Sequence, residues 1–594
     1  MIPDPLEITT IHTAYRSGAL TPVQLVTALL ARIDAYADKA VFITRVPGNE
    51  CLAQASSLDP ADIDHLPLFG IPFVVKDNID VAGLPTTAAC PDFAYTPSVD
   101  AVAVARLRAA GAILLGKTNL DQFATGLNGT RSPYGAPRSV FNADHISGGS
   151  SSGSAVAVGA ALAVFSLGTD TAGSGRVPAA FNNIIGLKPT IGRIATTGLV
   201  PACQSLDCIS IFANSSADAL TILHAAEGPD AGDAYSRSRQ NVFIPGKPRA
   251  GILAAADWEF FGNQEAAVLY ATVLGQAAAL GWELVEIDFA PLRDIAAALY
   301  GSAFVAERLT AIKSFFRTSA TSIDPTVRAI LEGAAKFSAA DLFADIHHIA
   351  ALKTMARAEM AKTDILLLPT TTTSFTVAKM QAEPLAANAK LGLYTNFVNF
   401  MDLTAIALPA GFGADGLPFG VSLIGPAFSE AALAAQADAL HRALGAGAGK
   451  TRVQPRTQLA HPLPETTLVV AGAHLSGMPL NDELLSLNGR LITATTTAPD
   501  YKLFALATTP PKPGLAHCPG YTGLGIAVEL WSLSAENFGK FVAGLPAPMG
   551  IGKVTLADGS THPGFLCEAH ALQGVEDITA YGGWRAFCSA QTKT

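Results

Sequence analysis

The sequence predicts a layered α/β fold for residues 1–445, then a linker at 446–464 and a smaller, β-rich domain at 465–594. Up to about residue 440, short apolar runs alternate with segments of helical periodicity, which is typical of helices packed on a β-sheet. The stretch 446–464 is rich in Gly, Pro and polar residues and has no sustained apolar periodicity, which is typical of a linker. Beyond it, short β-rich runs and turns dominate, so the second domain is expected to consist mostly of strands.

Local signals place the main elements of the α/β domain. Thr21-Pro22 offers an N-cap and a first-turn proline, and the apolar residues between Val23 and Ile33 recur at helical spacing, so a helix is predicted there. Residues 70–76, with the sequence GIPFVVK, form an apolar run that predicts a strand. Further along, a helix is predicted at 102–107 and strands are predicted at 112–115, 403–409 and 419–425.

The second domain is predicted from four β-rich runs and two turns. The runs cover 468–472, 501–506, 526–530 and 553–556, and the turns lie at Asp558-Gly559 and Gly582-Gly583. The sequence contains no internal repeat, so two domains are expected.

Composition excludes several classes of protein. Of the 594 residues, 49% are hydrophobic and 15% are charged, which indicates a large core and excludes intrinsic disorder. The net charge of −10 argues against a nucleic-acid partner, since such proteins carry a basic face. The N-terminus, MIPDPLEITT, lacks the basic and apolar runs of a signal peptide, and the seven cysteines are scattered without a zinc-ligand set. We therefore expect a soluble, cytoplasmic protein without a bound metal.

The uncharged segment 146–169 raises the question of a membrane span. Nearly half of it is Gly and Ser, and its apolar part covers only 155–167, interrupted by Gly159 and Ser166. Because a span needs about 20 mostly apolar residues, we expect a buried helix here instead.

Two Gly/Ser-rich loops flank that apolar part. Residues 147–154 read SGGSSSGS and residues 168–176 read GTDTAGSGR. A glycine-rich loop before a helix can bind an anion, but the Gly-Lys-Ser/Thr ending of a phosphate-binding loop is missing, and taken alone such a loop favours a structural turn.

A lysine at the end of the apolar strand changes this interpretation. A serine needs a base to become a nucleophile, and neither a G-x-S-x-G elbow nor a histidine in an obvious triad context is present. Lys76 can serve if it is neutral, which requires a pKa shift from about 10.4 to about 7, worth roughly 4–5 kcal/mol. Burial in an apolar pocket can supply a shift of that size.

With these features, the chain resembles the amidase signature enzymes over residues 8–440. The motifs that carry the resemblance are GIPFVVKDNID (70–80), GGSSSGSA (148–155), GTDTAGSGRVPA (168–179) and GLKPTIGR (186–193). The resemblance implies a mixed β-sheet core covered by helices and a Ser–cis-Ser–Lys triad that hydrolyses amides. By motif, Ser174 is the nucleophile, Ser150 is the bridging serine that follows a cis peptide bond, and Lys76 is the base.

The same resemblance implies an oxyanion hole made of the backbone N–H groups of Thr171, Ala172 and Gly173, with Ser174 as a further donor. The sequence departs from the family here, because Ala172 replaces a glycine and Gly175 replaces an isoleucine. An alanine keeps its N–H but tolerates positive φ less well than glycine. Asp170 and Arg176 are expected to hold the loop rather than take part in the reaction.

A narrower resemblance, to the allophanate hydrolases, rests on residues 123–135, 299–308 and 391–400 and on the second domain. It implies a small anionic amide as substrate, whose carboxylate would bind Arg308 and Tyr300 in a pocket lined by Gly126 and Asn128. From the residues alone, Arg308 is interpreted as a solvated helix charge, since Glu307 precedes it and Lys313 follows. The resemblance also implies urea degradation, a homodimer, association with urea carboxylase, and no cofactor.

The second domain resembles the C-terminal domain of allophanate hydrolases, whose fold is similar to that of γ-glutamyl cyclotransferases. Its segments GAHLSGMPLN (472–481) and GFLCEAH (564–570) carry the resemblance. This implies that His474 contributes to the decarboxylation of N-carboxycarbamate. The alternative is that the domain stabilises a dimer or docks partners, with His474 as a turn residue.

Other interpretations of the chain remain open. One is a broader amidase for small amides such as malonamate, and another is the amidase-like subunit of a tRNA-dependent amidotransferase, against which the second domain and the net charge argue. A catalytically silent scaffold is disfavoured by the presence of Lys76, Ser150 and Ser174. His347-His348 is expected to lie at a helix surface, and 370–373 is expected to follow a strand near the active site.

Overall fold

A computed structural model describes residues 2–240, 242–461, 465–487, 489–508 and 511–591. The chain divides into two compact units, Met1–His461 and Pro462–Thr594. Most of the stretch 446–461 packs within the first unit, since the N–H of Gly449 donates to the carbonyl of Asn183 (2.7 Å) and the N–H of Arg456 donates to Glu7 Oε2 (2.8 Å).

The first unit is built around a large mixed sheet. Its strands are β1 (Phe42–Arg45), β2 (Pro72–Lys76), β3 (Ile113–Thr118), β4 (Phe165–Asp170), β5 (Ile185–Lys188), β6 (Cys208–Ala213), β7 (Arg249–Leu253), β8 (Glu283–Ile287), β9 (Ile365–Pro369), β10 (Leu403–Phe412) and β11 (Pro418–Pro426). These 11 strands lie in the order β1-β3-β2-β4-β6-β5-β10-β11-β9-β7-β8. β2 is parallel to β3 and β4, whereas β4 and β6 are antiparallel. The predicted mixed α/β fold is confirmed.

Helices surround this sheet in the described part of the unit. They are α1 (Ile8–Arg16), α2 (Pro22–Ala35), α3 (Gly48–Ser56), α4 (Val102–Ala109), α5 (Ser152–Gly159), α6 (Val177–Phe181), α7 (Ser216–Ala226), α8 (Gln264–Ala279), α9 (Ala290–Gly301), α10 (Ala306–Ser319), α11 (Pro325–Gly333), α12 (Ala339–Met360), α13 (Val377–Ala382), α14 (Ala386–Leu391), α15 (Phe397–Phe400) and α16 (Glu430–Leu444). The predicted cap of α2 is confirmed, because the Thr21 side chain accepts the N–H of Gln24 and the Gln24 side chain accepts the N–H of Thr21.

The centre of the sheet is buried on both faces. Every residue of β2, β3 and β4 is buried, and the rings of Phe73 and Phe165 stack across β2 and β4 with centroids 5.0 Å apart. Strands covered on both faces show continuous apolar runs rather than alternating ones. Burial on both faces therefore explains the apolar runs of these strands.

The uncharged segment 146–169 differs from its prediction. The expectation of one buried helix over 155–167 is wrong, since α5 ends at Gly159 and β4 begins at Phe165. A Cβ on Gly159 would lie 3.0 Å from the carbonyl oxygen of Asn182, and Ala161 then reverses the chain with φ of 55°. Helix and strand cannot be distinguished by periodicity in a run that is apolar on all sides.

Among the described residues, no single helix has the length and apolar content needed to cross a membrane. The bent pair Ala290–Gly301 and Ala303–Ser322, with an angle of 49°, meets the criteria of length and composition together.

The described residues of the second unit form two smaller sheets. Its strands are β12 (Glu465–Val470), β13 (Arg490–Thr496), β14 (Tyr501–Leu506), β15 (Lys512–His517), β16 (Ala527–Ser534), β17 (Met549–Thr555), β18 (Thr561–Cys567) and β19 (Glu576–Asp577), and its helices are α17 (Asn481–Ser486), α18 (Ala535–Ala543) and α19 (Trp584–Gln591). Five strands follow the order β13-β16-β12-β18-β17 and three follow the order β15-β14-β19. The prediction of a β-rich second domain is confirmed.

Candidate active site

Lys76, Ser150 and Ser174 form one buried hydrogen-bonded chain. Lys76 is the last residue of β2, and its Nζ lies 2.7 Å from Ser150 Oγ and 2.6 Å from Thr169 Oγ1. Ser150 Oγ lies 3.0 Å from Ser174 Oγ. The structure therefore brings the three predicted residues together in the predicted order, from lysine through the first serine to the second.

The position of Ser150 depends on a tight loop before α5. The Gly149-Ser150 peptide bond is cis, as predicted. A Cβ on Gly149 would lie 2.2 Å from Asp121 Oδ2 and 2.5 Å from the amide nitrogen of Gly129, so this position has room only for glycine. The buried Asp121 accepts the N–H groups of Asn128, Gly129 and Arg131 and thereby fixes the neighbouring loop.

Burial makes Lys76 a suitable base. It lowers the pKa of the Lys76 ammonium to about 7, even though the carboxyl groups of Asp121, Asp207 and Asp170 act in the opposite direction. A large fraction of Lys76 is therefore neutral near pH 7 and able to accept a proton.

This pKa predicts the pH dependence of catalysis. Below about pH 7 the Lys76 ammonium is protonated and cannot accept a proton, so kcat/KM is expected to fall about tenfold per pH unit in that range and to level off above it. The measurement is kcat/KM for ammonia release between pH 5 and 9. A flat profile through about pH 7 would contradict the assignment of Lys76 as the base.

An ion pair holds the loop that carries Ser174. Arg176 donates to both carboxylate oxygens of Asp170, at 2.9 and 3.0 Å, and the N–H of Gly175 donates to Asp170 Oδ2 at 3.0 Å. Although burial acts to raise the pKa of Asp170, Arg176 brings it below the usual range. These contacts agree with the expectation that Asp170 and Arg176 hold the loop.

The two departures from the family pattern in this loop have steric explanations. A Cβ on Gly175 would lie 2.5 Å from Ser210 Cβ, so the neighbouring strand β6 leaves no room for a side chain. Gly173 has φ of 154° and a Cβ there would meet Thr395 Oγ1 at 2.5 Å, whereas Ala172 does not take a positive φ. An alanine therefore fits at 172 without strain.

The backbone N–H groups of Ala172, Gly173 and Ser174 have no acceptor among the described residues. They are thus available to a ligand, as an oxyanion hole requires. The roles of Thr171, Ala172 and Gly173 as donors remain predictions.

Arg308 lies inside the first unit rather than on a solvated helix face. It is 3% exposed, its Nη2 donates to the Tyr300 hydroxyl (3.0 Å), and its Nη1 donates to Thr125 Oγ1 (3.3 Å). Its Nε is buried and has no partner among the described residues. The residue-based interpretation of Arg308 as a surface charge is wrong, because the chain packs the first turns of α10 against Tyr300 and Thr125.

The loop at 125–128 connects this arginine with the nucleophile. Thr125 contacts Arg308, and the carbonyl oxygen of the adjacent Gly126 accepts the Ser174 hydroxyl at 3.5 Å. Asn128 is also buried, but its Nδ2 already donates to Asn388 Oδ1 (2.7 Å). The guanidinium and the nucleophile thus contact adjacent residues of the same loop.

Two threonines that follow β9 donate hydrogen bonds to the end of α14. Thr371 Oγ1 donates to the carbonyl of Leu391 (3.1 Å) and Thr372 Oγ1 donates to the carbonyl of Lys390 (3.0 Å). Both hydroxyl groups therefore stabilise the position of this segment.

His474 in the second unit lies at the wall of a separate cavity. Its Nε2 is 2.9 Å from Glu483 Oε2, and its ring stacks on Phe565 at a centroid distance of 5.2 Å. Burial lowers the pKa of the His474 imidazole, partly countered by Glu483. The cavity measures about 490 Å³, and Lys512 and Lys540 also line it. The cavity is large enough for a small molecule, and its charged lining combines these two lysines with Glu483.

In the described ranges, no group of three or more His, Cys, Asp or Glu side chains could hold a metal ion. His347 and His348 are both exposed on α12, which agrees with their interpretation as surface residues.

Sequence reasoning missed three polar residues of this site. Thr169 contacts Lys76 Nζ, Asp121 fixes the loop behind Ser150, and Asp207 accepts the Thr171 hydroxyl. Thr169 could have been found, because it lies within the GTDTAGSGR motif. In the sequence, Asp121 and Asp207 are marked only by their position close to an apolar run, which is a weak indication of a functional residue.

Known proteins resemble both units of the chain. Residues 24–434 match the family described as Amidase, and residues 466–589 match the family described as Allophanate hydrolase C-terminal domain. A glutamyl-tRNA(Gln) amidotransferase chain of Roseiflexus castenholzii is 36% identical over 461 residues, which is 72% of this chain and 93% of that protein.

Two further matches extend over nearly the whole chain. A urea amidolyase of Lachancea kluyveri is 44% identical over 547 residues, which is 89% of this chain, and the chain spans 30% of the length of that relative. The solved structure of a SeMet-substituted allophanate hydrolase of Kluyveromyces lactis has 39% identity and a TM-score of 0.73, covering 98% of this chain and 99% of that one.

Proposed function

This chain belongs to the amidase family, and on that premise we propose that it hydrolyses allophanate to ammonia and carbon dioxide in urea degradation. The observation that carries the proposal is the buried guanidinium of Arg308 beside the loop that contacts Ser174. A guanidinium binds a carboxylate through two parallel hydrogen bonds. Allophanate presents a carboxylate close to its amide, so the anchor and the nucleophile suit one small substrate.

In the proposed reaction, neutral Lys76 accepts the proton of Ser150 while Ser150 accepts that of Ser174. Ser174 Oγ then attacks the amide carbon, and the N–H groups of Thr171, Ala172 and Gly173 stabilise the resulting oxyanion. The proton returns to the nitrogen through Ser150 as ammonia leaves. Water, deprotonated through the same relay, releases N-carboxycarbamate from Ser174.

Substrate binding is assigned to four residues. Arg308 and Tyr300 hold the carboxylate, and Gly126 and Asn128 form the wall of the pocket. Tyr300 orients the guanidinium through its hydroxyl and its ring, which lies 4.7 Å from Arg308 Cζ. Because the side-chain amide of Asn128 already donates a hydrogen bond to Asn388, Asn128 contributes to the pocket by keeping the loop in shape.

Replacement of Arg308 by leucine tests this assignment. We expect Arg308→Leu to raise KM for allophanate about 100-fold, since a charge-assisted bidentate contact is lost. Biuret has an amide in place of the carboxylate and is the matched neutral substrate, for which KM should change little. Steady-state ammonia release from both substrates gives the comparison. An unchanged KM for allophanate would refute the proposed role of Arg308.

For the second unit we propose that His474 promotes decarboxylation of the N-carboxycarbamate released by the first. The support is the cavity of about 490 Å³, in which the imidazole can donate a hydrogen bond to the intermediate and Lys512 can attract the carboxylates. The competing proposal is a purely structural domain.

A variant at His474 separates these two proposals. With His474→Ala we expect the first equivalent of ammonia, which leaves from the Ser174 site, to appear at the wild-type rate. The second equivalent of ammonia and the carbon dioxide should appear more slowly, because both are released only after N-carboxycarbamate is decarboxylated; all are followed continuously after mixing with allophanate. Glu568→Ala, at an exposed position of the same unit, is the control. Carbon dioxide release at the wild-type rate by His474→Ala would favour the structural proposal.

A partner, an oligomeric state and a cellular location are also proposed. The urea amidolyase relatives are longer than this chain, and we propose that it acts with a urea carboxylase that supplies allophanate. A homodimer and a cytoplasmic location also stay predictions, to be measured by light scattering of the purified protein and by cell fractionation. The likeness to an amidotransferase chain favours a second candidate function, glutamine hydrolysis for a tRNA-dependent partner.

A further inference from the structure

A short turn just before β6 contacts the loop that carries the nucleophile. Asp207 closes this turn, and its Oδ1 accepts the hydroxyl of Thr171, the first residue after β4. Its Oδ2 accepts the backbone N–H groups of Ala202 (2.7 Å) and Cys203 (3.1 Å). Asp207 therefore ties the turn 202–207 to the start of the catalytic loop from a position that is 3% exposed.

The same turn holds the helix that carries Arg308. The N–H of Ser205 donates to Glu307 Oε1 (2.7 Å), and its hydroxyl donates to Glu307 Oε2 (2.8 Å). Glu307 is in the first turn of α10 and directly precedes Arg308. A carboxylate near a helix N-terminus is favourable by itself, but this one is also bound at both of its oxygens by a single residue of the turn.

Both functional groups are thus held by one short segment. We infer that the turn 202–207 is a positioning element that fixes the distance between Ser174 and Arg308, and so makes the site selective for amides that carry a nearby carboxylate. Asp207 and Glu307 are positioning residues in this inference, since neither is expected to touch the substrate. The inference rests on the proposed role of Arg308 as the carboxylate anchor.

The geometry explains why such an element is needed. β4 and α10 are distant in sequence, and the hydrogen bonds of Arg308 itself lead to Ser174 only through Thr125 and the long contact of Gly126 with the Ser174 hydroxyl (3.5 Å). A misplacement of about 1 Å between substrate and catalytic groups can cost about 100-fold in rate. Burial raises the pKa of Asp207 to about 6, so its carboxylate is mostly ionised and a strong acceptor at neutral pH.

The test compares Glu307→Ala and Glu307→Gln in the 594-residue chain, with allophanate and neutral biuret as substrates. We expect Glu307→Ala to raise KM for allophanate about tenfold, with kcat/KM for biuret changed less than about threefold, because only the anchor is displaced. Glu307→Gln retains an acceptor for the Ser205 N–H and should recover at least half of the loss. Glu332→Ala, an exposed carboxylate on the neighbouring α11, is the control and should match wild type.

Asp207→Asn provides a second test. The NH2 group of the asparagine side chain cannot accept a hydrogen bond in the place of a carboxylate oxygen, so one set of contacts is lost. We expect this variant to lower kcat for allophanate and biuret by the same factor, about tenfold or more, since it loosens the nucleophile loop rather than the anchor.

The outcomes distinguish this inference from the proposed function. If Arg308→Leu raises KM for allophanate but Glu307→Ala does not, or if Glu307→Ala impairs both substrates equally, the inference is wrong while the proposed function stands. If Arg308→Leu leaves KM for allophanate unchanged, the proposed carboxylate anchor fails and the inference falls with it.

Discussion

Replacement of Ser174 by alanine is expected to lower kcat for ammonia release from allophanate by about 10⁴-fold or more. Without the nucleophile, water must attack the amide carbon directly. Only substrate binding and oxyanion stabilisation then still lower the barrier, which leaves a small residual rate. Ser174 is 2% exposed and its hydroxyl lies 3.0 Å from Ser150 Oγ, so the substitution removes the last hydroxyl of the chain that begins at Lys76. The measurement is ammonia release under saturating allophanate.

The control for this variant is Ser56→Ala. Ser56 is exposed on α3 and its hydroxyl donates only within its own helix, to the carbonyl of Leu52. Wild-type activity is expected for Ser56→Ala. Ser174→Ala should also retain wild-type affinity for allophanate in calorimetry, because Arg308 and Tyr300 are unchanged. Retention of more than about 1% of wild-type kcat by Ser174→Ala would contradict its role as nucleophile.

Replacement of Lys76 by methionine is the second prediction with a large effect. We expect kcat to fall by about 10³-fold or more, because Ser150 and Ser174 lose the group that accepts their proton. Methionine fills a similar volume, and Lys76 is fully buried in a pocket that lowers its pKa, so the fold should tolerate the loss of the amine. Thermal unfolding measured in parallel should show a Tm equal to or above that of wild type.

Two further variants sharpen the Lys76 prediction. Lys76→Arg should not restore activity, since a guanidinium stays protonated and cannot act as a base. Lys362→Met, at an exposed position where the amine pairs with Glu359, should behave as wild type. A rate for Lys76→Met within about tenfold of wild type would mean that another group accepts the proton of Ser174.

The catalytic chain could be predicted from sequence because each of its members lies in a local motif. Lys76 ends an apolar strand, Ser150 follows a Gly-Gly pair, and Ser174 lies between two glycines. The glycines mark close backbone approach, which the structure shows where Gly149 meets Asp121 and where Gly175 meets Ser210. Such steric requirements are encoded within a few residues.

The surroundings of Arg308 could not be predicted from local sequence. Flanked by Glu307 and Lys313, it resembles a solvated helix residue, yet it is buried by contacts with Thr125, 183 positions earlier in the chain. The same limit applies to Asp207, whose partner Thr171 is 36 positions away. Long-range packing decides the environment of these groups.

The end of α5 illustrates a different limit. Residues 155–167 are apolar on every side, so periodicity carries no information about helix or strand there. The close approach of Asn182 to Gly159 and the left-handed Ala161 end the helix, and both depend on how the chain folds back. Composition predicts that this segment is buried but not which element it forms.

In the proposed mechanism, Ser174 attacks an amide whose carboxylate is held by Arg308. The most direct test of this mechanism is ammonia release by the purified chain alone from allophanate, malonamate and glutamine. We expect a kcat/KM for allophanate at least about 100-fold above that for glutamine and above that for malonamate. Release of ammonia from glutamine as efficiently as from allophanate would contradict this mechanism. Malonamate also carries a carboxylate close to its amide, so equal activity on malonamate would contradict only the proposed preference for allophanate.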